Sequence, residues 1–423
     1  MFRKIVNVKK EVAVLDLGTD TICAAVVRGE RKEQNKENLG FGAGIRVLGV
    51  GYQLAKGLTF GAITNLEELE EAILGAIASA EKEAQKSIKS VFISLPAWAV
   101  SSHEAEANVD IGQLPVDDVH ISSLTNSDFS RSIGDNEEVI HIMPVSYTID
   151  ENDCVQDPTG MIGDKLSAVF HIISVPSSFL KNIRSCLERN DIRVSGFVSS
   201  AYASILSTVL EEEATSGVTV VDMGGSSTTI SCMQGGVLLY SGIIPLGGRH
   251  ITNDISMVLK TSRANAERLK ILYGVSGVSG EDEGILVSRL DEYGEEHVQN
   301  ISRMTLDAII SARLEETLKE VEQHIYECGA DRTVYQRLVM TGGGSRLSGL
   351  SEFIKSRKFF GEMSCRLGKP IGTTGSHDFV KSPSFASAAG TAVYCLSDLA
   401  SRRLSSVNRS FGQRIVAWFK RGI

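Results

Sequence analysis

Apolar and polar positions along the chain fall into blocks whose spacing separates strands from helices. Residues 11 to 27, EVAVLDLGTDTICAAVV, hold two β-branched, apolar runs broken by a short polar step at Gly18, the pattern of a buried hairpin whose turn can face a ligand. Between 64 and 87 the spacing becomes helical behind a Thr64/Asn65 cap, and VFISLP then reads as a strand stopped by Pro96, giving β, α, β order. From about 100 to 171 the character changes to short strand candidates, VIHIMPVSYTI and SAVFHIISV, separated by acidic turns, as in an inserted small α/β subdomain. Helices are expected near 177 to 190 and 199 to 213. They lead into VTVVDMGGSSTTISCMQGGVLLYSGIIPLGG, a second strand, glycine turn and strand unit built like the first. Helical spacing returns at roughly 250 to 273 and 301 to 328, after which RLVMTGGGSRLSGL runs from a strand through a third glycine turn into a helix. The stretch 29 to 44, GERKEQNKENLGFGAG, reads as a surface loop, since a dinucleotide fingerprint needs a following helix.

Composition sets the scale of this pattern. At 423 residues the chain is longer than a single hydrophobic core usually serves, so two or more lobes are expected. Apolar residues at 42%, charged residues at 22% and a mean hydropathy near zero describe a soluble globular protein. No segment is apolar for long enough to span a bilayer, and the start, MFRKIVNVKKEVAVLD, meets an acidic residue before a signal-peptide core develops, so a cytoplasmic location is expected. Cys23, Cys154, Cys186, Cys232, Cys328, Cys365 and Cys395 are scattered without a CxxC pair and read as reduced, mostly buried thiols. The net charge of −9 hides an asymmetry: no acidic residue follows Asp398, while Arg402, Arg403, Arg409, Arg414, Lys420 and Arg421 do. An acidic body without a basic stripe gives no support to a nucleic-acid partner.

Each repeated unit sets an Asp at a strand end before a hydroxyl-rich glycine turn: Asp16, Gly18, Thr19, Asp20 and Thr21, then Asp222, Gly224, Gly225, Ser226, Ser227 and Thr228. Glycines let backbone N–H groups approach an anion, hydroxyls add neutral donors, and an Asp can hold magnesium through water. One such turn is equally the turn of an ordinary hairpin. Its recurrence in the same setting, with a third turn at Gly342, Gly343, Gly344, Ser345 and Arg346, favours a nucleotide site. Glu267 and Lys270 share a face of a predicted helix; alone they read as a solvated ion pair, and beside these turns as a bracket for a ribose or base edge.

Beyond Tyr394 the chain becomes Ser- and Arg-rich, as a linker does, and ends in SFGQRIVAWFKRGI. There Phe411, Ile415, Trp418 and Phe419 recur on one face of a helix, with Gln413, Arg414, Lys420 and Arg421 around the rest, and Ser410 with Gln413 supplies a capping box. A basic amphipathic helix with aromatic anchors suits an anionic membrane surface, here through Phe411, Arg414, Ile415, Trp418, Phe419, Lys420 and Arg421; docking on the protein's own core is the alternative.

The segments VAVLDLGTDT, VTVVDMGGSSTT and LVMTGGGSRLSGL, in this order, resemble the two phosphate motifs and the adenosine motif of the actin, Hsp70 and sugar-kinase superfamily. Within it the chain is similar to the FtsA family, because VIHIMPVSYTIDENDCVQDPTGMIGDKLSAVFHIISVP looks like that family's own insertion and the amphipathic C-terminus agrees. The resemblance implies an α/β, actin-like, two-lobed fold. It divides the chain into a first subdomain (1–99, 172–215 and 381–400) carrying the insertion (100–171), a second (216–254 and 326–380) carrying a further subdomain (255–325), a linker (401–409) and a membrane-targeting helix (410–423). It implies ATP or ADP with Mg2+, organised by Asp16 and Asp222, phosphates on the flanking Gly, Thr and Ser residues, Glu267 and Lys270 at the ribose or adenine, and Gly342 to Arg346 along the adenosine.

By the same resemblance the protein would polymerise on the cytoplasmic face of the inner membrane at the division site, bind the FtsZ C-terminal peptide and recruit later divisome membrane proteins. Ser226 and Ser227 depart from the Gly and Thr common in relatives, and the 29 to 44 loop is longer than the family suggests. In SSAYAS, residues 199 to 204, Ser200 stands where hydrolytic relatives carry the Glu of an EPxAA-like motif, so slow or absent ATP turnover is expected. An Hsp70-like ATPase, a sugar kinase and a PilM-type pilus adaptor are the competing readings.

Overall fold

The computed structural model describes residues 10–30, 44–59, 62–150, 152–155, 157–275, 284–290, 296–327, 337–361, 363–375, 379 and 381–397. Two main sheets organise them. The first runs in the order Arg193–Ser199, Ser90–Leu95, Glu11–Leu17, Thr21–Glu30, Gly44–Leu54, Thr373–Thr374. The second runs Val237–Ile244, Thr228–Gln234, Val218–Met223, Arg337–Thr341, Ser364–Leu367. In each, an antiparallel hairpin sits at the centre and its first strand also pairs in parallel with a strand that arrives later in the chain. The registers correspond: Asp16 lies opposite Cys23 and Ser94, and Asp222 opposite Thr229 and Thr341. A third antiparallel strand and an outer parallel strand complete the same plan on both sides.

Period-two burial explains how the second sheet fits between its neighbours. Val218, Val220, Met233, Leu238 and Val339 join a core shared with the first sheet, while Val221, Met223, Ile230, Cys232, Leu338 and Met340 face a second core. That second core is closed by the helices Gly248–Leu259, Arg263–Tyr273, Arg303–Glu327 and Leu350–Ser356. The shared core is closed by Leu66–Ala84, Ser177–Glu188, Ser200–Thr208 and Ala386–Leu396. Leu66–Ala84 shows why such helices form: Asn65 Oδ1 accepts the Glu67 and Glu68 amides, and Leu69, Ala72, Ile73, Ala76, Ile77 and Ala80 make one buried stripe. Each large side chain in that stripe contributes roughly 1.5–3 kcal/mol by leaving water.

The inserted region is a four-stranded antiparallel sheet, Ser101–Asp110, Lys165–Pro176, Glu137–Ile149, Asn152–Val155, with the helix Asp118–Thr125 against it. It has its own core around Leu124, Phe129, Leu166 and Phe170. At its root Ile140, Ile173 and Val175 enter the shared core, and His141 Nε2 accepts the Ser199 amide at 3.1 Å, so the long strands carry through residue 171 into the first lobe.

Several local expectations need correction. The helix expected over 199 to 213 is two helices, Ser200–Thr208 and Glu211–Ser216, because Val209 is extended and Glu213 folds back on the Leu210 amide while pairing with Arg366. The helix expected over 250 to 273 is also two, divided where Lys260 turns left-handed (φ 50°) and Ser262 caps a new start. The strand Gly44–Leu54 was not anticipated, since Gly44, Gly49 and Gly51 interrupt its apolar alternation, and neither was the hairpin Gly284–Leu290 with Glu296–Ser302. Gly29, Glu30 and Gly44 belong to strands; the remainder of the 29 to 44 loop lies outside the described residues. Cys23, Cys186, Cys232 and Cys395 are buried free thiols and Cys365 a partly buried one.

Candidate functional site

The two hairpin turns share a cavity of about 430 Å3. The first contributes Asp16, Gly18, Thr19, Asp20 and Thr21, the second Asp222, Gly224, Gly225 and Ser227. Gly342, Gly343, Gly344 and Arg346 of the third turn join them, with Glu267 and Lys270 from Arg263–Tyr273. Three expected residues do not line it. Ser226 Oγ accepts the Trp98 indole N–H at 3.1 Å, Thr228 Oγ1 donates to the Leu246 carbonyl at 2.8 Å, and Ser345 Oγ donates to the Gly342 carbonyl at 2.8 Å. All three side chains are buried, Ser226 against the first lobe, Thr228 against the segment ending at Leu246 and Ser345 within its own turn.

Asp16 and Asp222 lie where their strands end, and each is held by a serine from a helix crossing behind the sheet. Ser387 Oγ donates to Asp16 Oδ1 at 2.8 Å and is itself 2.5 Å from Ser94 Oγ; Ser204 Oγ donates to Asp222 Oδ2 at 2.5 Å. Burial pushes the Asp16 carboxyl above its ordinary range despite the Ser387 and Ser94 hydroxyls. Burial pushes Asp222 up to about 6, opposed by the Ser204 bond and reinforced by the charge of Asp16. Two carboxylates whose joint ionisation is costly suit a shared cation. Among the described residues no group of three or more His, Cys, Asp or Glu is placed to hold a metal ion alone. That donor set fits magnesium, which keeps several waters and takes further oxygens from phosphate.

The third turn is pressed against the second carboxylate. Gly342 adopts φ +83°, and a Cβ there would collide with Asp222 Oδ1, so only glycine lets the turn pass this close. Lys270 spends its three protons inside the protein, on Gly248 O (3.1 Å), Thr252 Oγ1 (2.9 Å) and Glu267 Oε2 (2.7 Å). It therefore fixes the helix Arg263–Tyr273 to the start of Gly248–Leu259, and Glu267, with its other oxygen uncommitted to this network, is the better placed of the two to meet a ligand hydroxyl. Ile271 and Leu347 add apolar wall to the cavity, and Ser200 lines it from the start of Ser200–Thr208.

Sequence reasoning missed Ser204, Ser387 and Ser94 as partners of the carboxylates, and Gly248, Ser348 and Ser384 as lining. A weak signal existed: SSAYAS and SPSFASAAG both place small hydroxyl residues at the start of alanine-containing helices. Phe411, Arg414, Ile415, Trp418, Phe419, Lys420 and Arg421 lie outside the described residues, as does the 401 to 409 linker. Among the described residues no helix is long and apolar enough to cross a membrane.

Two copies of one hairpin-centred sheet, meeting at one cleft, define the actin-like class of two-lobed α/β folds. Solved structures agree: a PilM-PilN type IV pilus biogenesis complex superposes with a TM-score of 0.61 at 15% identity, covering 92% of this chain and 99% of that one. The structure of MreB 5 of Spiroplasma citri bound to AMPPNP gives 0.53 at 12% identity, covering 94% and 99%. Within that class the sequence is more specific. A profile described as "Cell division protein FtsA" matches residues 219–390, and one described as "SHS2 domain inserted in FTSA" matches 99–174. The cell division protein FtsA of Agrobacterium fabrum is 31% identical over 385 residues, covering 90% of this chain and 86% of the relative. That of Escherichia coli K12 is 28% identical over 395 residues, covering 91% and 90%. The chain belongs to the FtsA family of cell division proteins.

Proposed function

We propose that the chain is an ATP-binding scaffold that anchors the FtsZ ring to the inner membrane. The observation that carries the nucleotide part is the meeting of two corresponding glycine turns, with Asp16 and Asp222, on one cavity. The turns would hold the phosphates of ATP or ADP, Asp16 and Asp222 would hold Mg2+ through water, Glu267 would meet the ribose, and Gly342, Gly343, Gly344 and Arg346 with Ile271 and Leu347 would enclose the adenosine. Magnesium, when bound, neutralises phosphate charge. The MreB 5 relative in fold carries AMPPNP, which supports an adenine nucleotide here.

Turnover is expected to be slow. Ser200 lines the cavity where a water-activating carboxylate would be needed, and a serine hydroxyl is no general base near neutral pH. The nucleotide then acts as a conformational and assembly ligand. The 410 to 423 helix would bind anionic lipid reversibly as a single copy, and polymerisation would multiply that attachment by avidity. The FtsZ C-terminal peptide, neighbouring copies and later divisome membrane proteins complete the set of partners in this reading.

Calorimetry should detect Mg-ATP uptake by the full chain without steady-state phosphate release; vigorous hydrolysis abolished by Asp222→Ala would refute the scaffold mechanism. Cosedimentation tests the rest: deleting residues 410–423 should free the protein from anionic liposomes while leaving FtsZ binding, and retained liposome binding would remove the anchor.

A further inference from the structure

One set of cross-cleft contacts is not required by phosphate binding itself. Arg249, on the first turn of Gly248–Leu259 in the second lobe, donates Nε to Asp20 Oδ1 at 2.7 Å and Nη2 to the Thr19 carbonyl at 2.6 Å, with a second contact from Nη2 to the same Asp20 oxygen. Its own amide donates to the Gly225 carbonyl at 2.7 Å, so the residue is rooted on the second turn and reaches to the first. Beside it the Ser226 amide donates to Thr19 Oγ1 at 3.2 Å. The Asp20 carboxylate lies over Gly225, where any Cβ would collide with it. Asp20 lines the cavity and Arg249 does not, so the guanidinium backs the carboxylate from outside. An unpaired carboxylate at this position would repel a polyphosphate; pairing removes that cost and joins the lobes in one contact.

We propose that Asp20 and Arg249 form a charged clasp across the cleft that sets how long a nucleoside polyphosphate stays bound. The role in retention rests on the nucleotide reading above; the closure rests on geometry alone. Both side chains are partly exposed, Arg249 at 25% and Asp20 at 48%, so the clasp is open to screening by salt.

The test uses the full chain carrying Asp20→Asn, Arg249→Gln, both changes, or Arg249→Lys, and follows release of a fluorescent ADP in magnesium by stopped flow. Each neutralising change should speed release about two- to fivefold, and the double variant should go no faster than the faster single one. Added salt should speed release from the unaltered protein more than from the double variant, and Arg249→Lys should keep part of the retention. Amide exchange over residues 223 to 229 without nucleotide reads the same contact independently, and Arg249→Gln should raise it. Additive single effects, or exchange unchanged in Arg249→Gln, overturn the clasp. An unaltered protein that takes up no nucleotide overturns the functional reading and the retention role together, while raised exchange in Arg249→Gln would then show the closure standing by itself.

Discussion

In the first lobe Asp16 takes its hydroxyl from Ser387, near the end of the described chain, and Ser94 stands behind that serine. In the second lobe Asp222 takes its hydroxyl from Ser204, in mid-chain, and also feels the charge of Asp16. The sheets around them are built to one plan, with equivalent registers. What differs is the helix behind each. The backbone repeat therefore places two carboxylates symmetrically, and unrelated segments of sequence decide how readily each one ionises.

Replacing the carboxylates is the strongest way to break this comparison. Asp222→Asn and Asp16→Asn should each weaken Mg-nucleotide binding by about a hundredfold, because in the proposed reading each would remove a charged partner of the metal. Calorimetry with and without chelator would check it, and a variant of either turn that keeps full magnesium-dependent affinity would show the two turns are not equal partners. Gly342→Ala comes next, with an expected loss of about 2–4 kcal/mol in urea unfolding from the forced positive φ and the collision with Asp222.

The serines sharpen the contrast with smaller effects. Ser204→Ala should destabilise by about 1 kcal/mol and move the pH midpoint of nucleotide binding upward, and Ser387→Ala should do less at Asp16, where Ser94 remains. Equal shifts in titrations of the two variants would contradict the distinction.

The smallest expected effect is that of pH on nucleotide affinity. The folded-state value of about 6 for Asp222 stands above its ordinary 3.8, so the folded protein holds a proton that the unfolded chain has released. The stability this group contributes is fully present below about pH 4 and is lost as pH rises through 6. In the proposed reading a protonated Asp222 would hold the magnesium's water less well, so nucleotide affinity should rise about twofold between pH 6 and pH 8, and Asp222→Asn should flatten both dependences. Thermal melts and binding isotherms across that range would measure them.

Much of this was legible in the sequence because strand, glycine turn and strand units announce themselves by local alternation, and their repetition pointed to the three glycine turns that meet at the cavity. The limits were equally physical. Ser226, Thr228 and Ser345 sit in the right loops, but side-chain direction within a turn depends on partners such as Trp98 and Leu246 that are remote in sequence. Lys270 pairs with Glu267 as the i, i+3 spacing suggests, but its further bonds to Gly248 and Thr252, which saturate it, follow from no spacing rule. Gly44–Leu54 escaped notice because glycines diluted its period, although they let it pack beside Leu66–Ala84.

Val218, Val220, Met233, Leu238 and Val339 pack in the same interior as Leu15, Ile93 and Ala389, so the halves are welded along a common apolar spine. Opening the molecule can then only be a swing about that spine, and a chain severed between the halves would expose a greasy flank on each fragment rather than yield two independent folding units.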